Sequence, residues 1–224
     1  EYDPYNLKDI SSHNSKTPYA YNYNPEVYRR EGAYNIQGSR YLFGYNLMFA
    51  PFVPWMMAGE LFNATHLAVP GLLNHSLNGK LLHSYIDWDD LETQLDVIRD
   101  FMKIANIRNT HKDIFHNNRY ETNLVNVPFD SEPYVNVKPY ARFISGNKAI
   151  IVIGNNNIET DVIFRLHIPL EKMGLDGREK YVLTDLWNDS TSVFNAGQLA
   201  DFPVLVPKDK SPGGGVRILL ISPE

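Results

Sequence analysis

The stretch "YARFISGNKAIIVIG", Tyr140 to Gly154, holds two short apolar runs hinged on Ser-Gly-Asn. Runs of this length, rich in Ile, Val and Phe and bounded by Gly and Asn, are the pattern of strands joined by a tight turn. The pattern repeats downstream in "DVIFRLHIPL" (Asp161 to Leu170), "KYVLTDLWND" (Lys180 to Asp189) and "GGGVRILLISP" (Gly213 to Pro223). Strand-like runs at such spacing over about 100 residues predict an antiparallel β-sandwich, assigned to 126–224.

Upstream the period changes. "DWDDLETQLDVIRDFMKIANIRNTH", Asp87 to His111, predicts an amphipathic helix: Leu91, Leu95, Ile98, Met102, Ala105 and Ile107 recur at helical spacing. Asp87, Asp89 and Asp90 supply its acidic first turn. "YLFGYNLMFAP" carries Tyr41, Leu42, Tyr45, Leu47 and Met48 at helical spacing, and Pro51 should end that helix. "FVPWMMAG", Phe52 to Gly59, is a continuous apolar run closed by glycine, the pattern of a strand buried on both faces of a parallel sheet. Residues 63–83, with Pro70-Gly71, read as a long loop. The expected fold is therefore α/β followed by all-β, with 1–125 and 126–224 joined near "NVPFDSEPY", Asn126 to Tyr134.

Composition narrows the function. The 224 residues are 43% hydrophobic and 21% charged, which favours a globular chain with a sizeable core over a disordered one. A net charge of −5 with scattered lysines and arginines gives no basic footprint for nucleic acid. The apolar run Tyr41 to Gly59 is broken by two prolines, so no membrane span is expected. "EYDPYN" lacks the basic-then-apolar order of a signal peptide. The chain has no cysteine, which excludes thiolate ligands, cysteine nucleophiles and disulfides and leaves the compartment open, a secreted or periplasmic one included. The seven histidines show no HxH or HExxH spacing, so neither a metal nor another cofactor is expected. "SPGGGVR", Ser211 to Arg217, lacks the Lys-Ser/Thr ending of a phosphate loop and reads as a hairpin turn. Asn63, Asn74 and Asn188 open glycosylation sequons of the kind that arise by chance in an Asn-rich chain. The 14 tyrosines and many asparagines, dense in the first fifty residues, suit either sugar binding or half-exposed turns.

The order of these features resembles the C-terminal portion of the α-amylase superfamily, the glycoside hydrolase family 13-like proteins. "ISSHN" (Ile10 to Asn14) looks like the end of barrel strand seven, and "PFVPWMMAGELF" (Pro51 to Phe62) is similar to strand eight. "WDDLETQLDVIRDFMKIANIRNTHKDIF" (Trp88 to Phe115) looks like the last barrel helix. "ARFISGNKAIIVIGNNN", "YVLTDLWND" and "GGGVRILLIS" resemble three strands of the family's C-terminal sandwich, in order. The resemblance implies the C-terminal portion of a (β/α)8 barrel plus an antiparallel β-sandwich, and it covers nearly the whole chain.

What the resemblance implies for chemistry is specific. Retaining glycosidases need two carboxyl groups about 5–5.5 Å apart, one as nucleophile and one as acid then base. In the family these follow strands four and five, so a chain beginning near strand seven holds neither, and whether it is an enzyme stays open. His13 and Asn14 would sit at the strand-seven position and, with Tyr19 and Glu60, would line the substrate pocket. Asn14 stands where the family has aspartate. Its amide can bond hydroxyls but cannot offer charge to an oxocarbenium-like transition state. A lapsed homologue, a subfamily with other chemistry and an introduced Asp-to-Asn change all fit, as does a plain turn at Asn14-Ser15. Glu60 equally suits a helix start. Two functions follow: a portion of a hydrolase of α-glucans or related oligosaccharides, or a non-catalytic carbohydrate-binding or interaction protein. The expected partners are an oligosaccharide or polysaccharide, and the remainder of the barrel or another copy to cover its exposed edge.

Overall fold

The structure, a computed structural model, describes residues 39–49, 66–68, 84–86, 92, 95–115, 123–135, 137–155, 157, 160–209 and 212–224. In chain order it has helix α1 (Ser39–Phe49), strands β1 (His66–Ala68) and β2 (Ser84–Ile86), helix α2 (Leu95–Thr110) and the one-turn α3 (Lys112–Phe115). Strands β3 (Leu124–Asn126), β4 (Phe129–Glu132), β5 (Tyr140–Ile144), β6 (Lys148–Gly154) and β7 (Val162–Leu166) follow. The chain finishes with β8 (Tyr181–Asp185), β9 (Ser190–Phe194), the short α4 (Ala196–Leu199), β10 (Phe202–Val206) and β11 (Val216–Pro223).

Two antiparallel sheets carry the molecule, one of six strands in the order β3-β5-β6-β11-β8-β9 and one of three in the order β10-β7-β4. Between them lies a core built from alternate residues: Ala149, Ile151 and Ile153 of β6, Leu219 and Ile221 of β11, and Val162, Phe164 and Leu166 of β7. The other parity of the large sheet, Tyr140, Ile150, Val152, Val216 and Ile218, faces the helices and packs with Tyr41, Tyr45, Met48, Val97, Phe101 and Ile104. This layering explains the sequence. β6 is covered on both sides and reads as an unbroken apolar run, whereas β7 has one wet face and alternates buried with exposed. Each fully buried Ile or Phe contributes about 1.5–3 kcal/mol, so both layers add to stability.

The expected barrel portion is overturned. Every strand pair among the described residues is antiparallel, helices are few and short, and the class is all-β-like. The physical reason lies in what the helices cover. α1 packs on α2 and on β6 and β11, so it shields an antiparallel sheet that the sandwich already owns. A continuous apolar run reports coverage of both faces, and antiparallel strands under helices satisfy that as well as parallel ones do. The loop expected over 63–83 also changes, because His66–Ala68 forms β1 and pairs antiparallel with β2. The strand expected at Phe52 to Gly59 lies outside the described residues.

Helix α2 forms where expected but turns a different face inward. Val97, Phe101, Ile104, Ile107 and Arg108 are buried, while Leu95 is 50% and Met102 60% exposed. The sequence carries two apolar stripes about a third of a turn apart, and the one holding Phe101 docks. Phe101 stacks on Phe43 at 4.2 Å, a contact that no residue of the Leu95-Met102 stripe duplicates. None of the described helices is long and apolar enough to cross a membrane.

Candidate functional site

The residues the sequence nominates, His13, Asn14, Tyr19 and Glu60, all lie outside the described residues. Within the described part, buried polar groups also include Arg108, Arg142 and Asn155, and two clusters bring such groups together with carboxylates. Both are centred on a buried arginine.

The first clasps the helices to the sandwich. Arg40, in the first turn of α1, is 1% exposed. Its Nε donates to Asp100 Oδ2 at 2.6 Å, one Nη to Asp96 Oδ2, and the other to the Asp209 carbonyl at 3.0 Å. Asp96 and Asp100 lie one turn apart on α2, which puts both carboxylates on the face that meets α1. The Asp100 carboxylate also accepts the Gly213 N–H at 2.8 Å, and Asp209 Oδ1 accepts the Tyr41 N–H at 3.1 Å. Burial pushes the Asp209 carboxyl well above the usual carboxylate range. Gly215 passes so close, at φ +77°, that a Cβ there would meet Asp209 Oδ1 at 2.3 Å. With Asp96 and Asp100 committed to the guanidinium and Asp209 Oδ1 to the backbone, this cluster ties α1 to α2 and to the 209–213 segment.

The second is a cleft. β9 ends the large sheet and β10 ends the small one, and on that side the sandwich stands open. The opening holds a volume of about 330 Å³. Phe194 and Phe202 form its apolar wall, ring centroids 5.1 Å apart and nearly perpendicular. Ser190 and Ser192 follow from the period-2 alternation that places Phe194 there, while Asp185 and Asn188 come from the β8–β9 turn. The Asp185 carboxylate is held within that turn, accepting from the Trp187 and Asn188 N–H groups at 2.8 and 3.2 Å and from Asn188 Nδ2 at 2.5 Å. Arg217 enters from β11 and is 8% exposed. Its Nη1 donates to the carbonyls of Gly213 (2.6 Å) and Val216 (2.9 Å), and burial lowers its pKa from the usual guanidinium value.

Chemically the cleft offers hydroxyls, an amide, a fixed cation and two aromatic edges around a space of sugar-ring size. Sequence reasoning treated "SPGGGVR" as a turn and passed over Arg217. The available signal was the lone charge inside the apolar run "VRILLIS". In a smaller concavity on the outer face of the three-stranded sheet, lined by Asp130, Glu132, Ile163 and Arg165, two of the charges are engaged by neighbours, Arg165 with Asp201 at 2.8 Å and Asp130 with His167 at 3.1 Å. Among the described residues no group of three or more His, Asp or Glu converges as a metal site would require. No protein-family model matches the chain, and no curated protein matches it in sequence.

Proposed function

We propose that this protein binds carbohydrate without cleaving it, and that the cleft between β9 and β10 is where an oligosaccharide sits. The observation that carries the reading is the lining of that cleft, two phenylalanine rings beside Ser190, Ser192, Asn188 and a buried arginine. Aromatic edges pack against the C–H faces of a sugar ring, and short hydroxyl and amide side chains exchange hydrogen bonds with its hydroxyls at little entropic cost. The resemblance of the runs at 141–157, 181–189 and 213–222 to sandwich strands of the α-amylase type supports carbohydrate as the ligand class, α-glucans or related oligosaccharides. The binding reading is preferred to the hydrolytic one because Asp185, the acidic residue among the described lining of the cleft, is engaged by backbone and amide donors.

The test is titration of the full chain with a panel of neutral and acidic oligosaccharides by calorimetry, beside an assay for released reducing ends. Binding without release is expected, and Phe194→Ala should weaken it by about tenfold through loss of the ring contact. Binding by no sugar of the panel, or cleavage of any, overturns the reading.

A further inference from the structure

We infer that the cleft selects an oligosaccharide bearing a carboxylate, a uronic-acid sugar, and that Arg217 is the residue that selects it. The inference rests on the oligosaccharide reading of the cleft and names its ligand more closely. Arg217 is more than nine-tenths buried and lines the cleft. Its Nη1 is anchored by the carbonyls of Gly213 and Val216, which fixes the plane of the guanidinium. Among the described residues Nε and Nη2 donate to nothing, and no carboxylate forms an ion pair with the group. Nor are these two nitrogens among the atoms sealed from solvent without a partner, and Arg217 lines the cleft.

A guanidinium needs compensation when buried, and among the described residues this one has two carbonyl dipoles and the field of Asp185, Asp100 and Asp161, with no carboxylate in contact. Two parallel N–H donors of one guanidinium match the two oxygens of a carboxylate, a geometry no single hydroxyl reproduces. The nearby acids do not fill that role. Asp185 is spent on Trp187 and Asn188, Asp100 on Arg40 and Gly213, and Asp161 accepts the Lys208 N–H at 2.9 Å. Ser190 and Ser192 then remain for the sugar hydroxyls, and Phe194 for the ring. The chain as a whole carries a net charge of −5, so diffuse attraction of anions is no substitute for this one site.

The experiment is calorimetric titration of the full chain with trigalacturonate and with maltotriose, two α-1,4-linked trisaccharides of which the first alone bears carboxylates; the methyl ester of trigalacturonate, expected to bind as weakly as maltotriose, separates the charge from the difference at C4. Trigalacturonate is expected to bind at least about tenfold more tightly, with an affinity that falls as salt is raised while that of maltotriose does not. Arg217→Gln should bring the two to equal affinity, and Arg217→Lys, which keeps the charge and loses the fork, should restore part of the preference. If either variant does not fold, the salt dependence of the unaltered protein decides alone. Maltotriose binding as well as trigalacturonate overturns the inference and leaves the oligosaccharide reading standing. Binding by neither overturns both. A triaspartate peptide binding as tightly as trigalacturonate overturns the sugar in favour of an acidic peptide.

Discussion

Arg40 and Arg217 are both buried, are both linked to the same glycine-rich turn, Arg40 through Asp100 and Arg217 directly, and differ in what answers their charge. Arg40 meets two carboxylates and a carbonyl, whereas among the described residues Arg217 hydrogen-bonds carbonyls alone. Gly213 stands between them, giving its N–H to Asp100 and its carbonyl to Arg217. A guanidinium whose partners are built into the chain holds elements together, and one left with open donors at a cleft is positioned to take a partner from outside. The same residue type thus marks a structural joint in one place and, in the proposed reading, a binding position on the other side of Gly213.

The comparison breaks most easily at the joint. Replacing Arg40 by Met leaves Asp96 and Asp100 without their counter-charge, and a loss of about 3–5 kcal/mol is expected in urea unfolding. Arg217→Gln removes no built-in ion pair, so its cost to stability should be about 1 kcal/mol, with the larger effect on binding. Equal losses from the two would erase the distinction.

Asp209 sharpens it further. Its carboxyl is buried, its Oδ2 has no hydrogen-bond partner, and burial raises its pKa well above the usual value. A carboxyl whose folded pKa is raised holds its proton longer in the native state than in the unfolded one. Stability is then highest below the unfolded pKa, about 4, and falls as pH rises toward the folded value. Asp209→Asn keeps an acceptor for the Tyr41 N–H and should flatten that fall, as unfolding curves at a series of pH values would show. A fall of unchanged slope in the variant would assign it to other groups.

The smallest effect belongs to His167 on the wet face of the small sheet. Its Nδ1 lies 2.7 Å from the Ala200 carbonyl and its Nε2 3.1 Å from Asp130, and these two hydrogen bonds, the carbonyl first, raise its pKa. The stabilisation is complete below about pH 6.5, the unfolded value, and is lost as pH rises through the raised folded one. His167→Gln should remove that dependence with little change at pH 8, because the pair is solvent-exposed.

How much of this could be read beforehand follows from period and polarity. β5, β6, β7, β8 and β11 were legible because apolar runs and Gly or Asn turns bound them. β9 was not, since "STSVF" is polar and mostly exposed, and β10 carries Pro203, which suits an edge strand yet argues against a strand by propensity. The cleft lies between those two strands, so missing them meant missing the site. In α2 the two apolar stripes are indistinguishable until the aromatic stack of Phe43 on Phe101 chooses one. The barrel portion follows from the resemblance and from the run Phe52 to Gly59, which lies outside the described residues, whereas every strand pair among the described residues is antiparallel.

The most direct test of the central claim is chemical-shift mapping of the isotope-labelled protein during titration with trigalacturonate. The account predicts that Ser190, Ser192, Phe194 and the Arg217 Nε–H shift together and saturate at one concentration, with the Arg40 Nε–H unmoved. Shifts confined to other surfaces, or an Arg217 Nε–H that stays in place while the rest move, would contradict it.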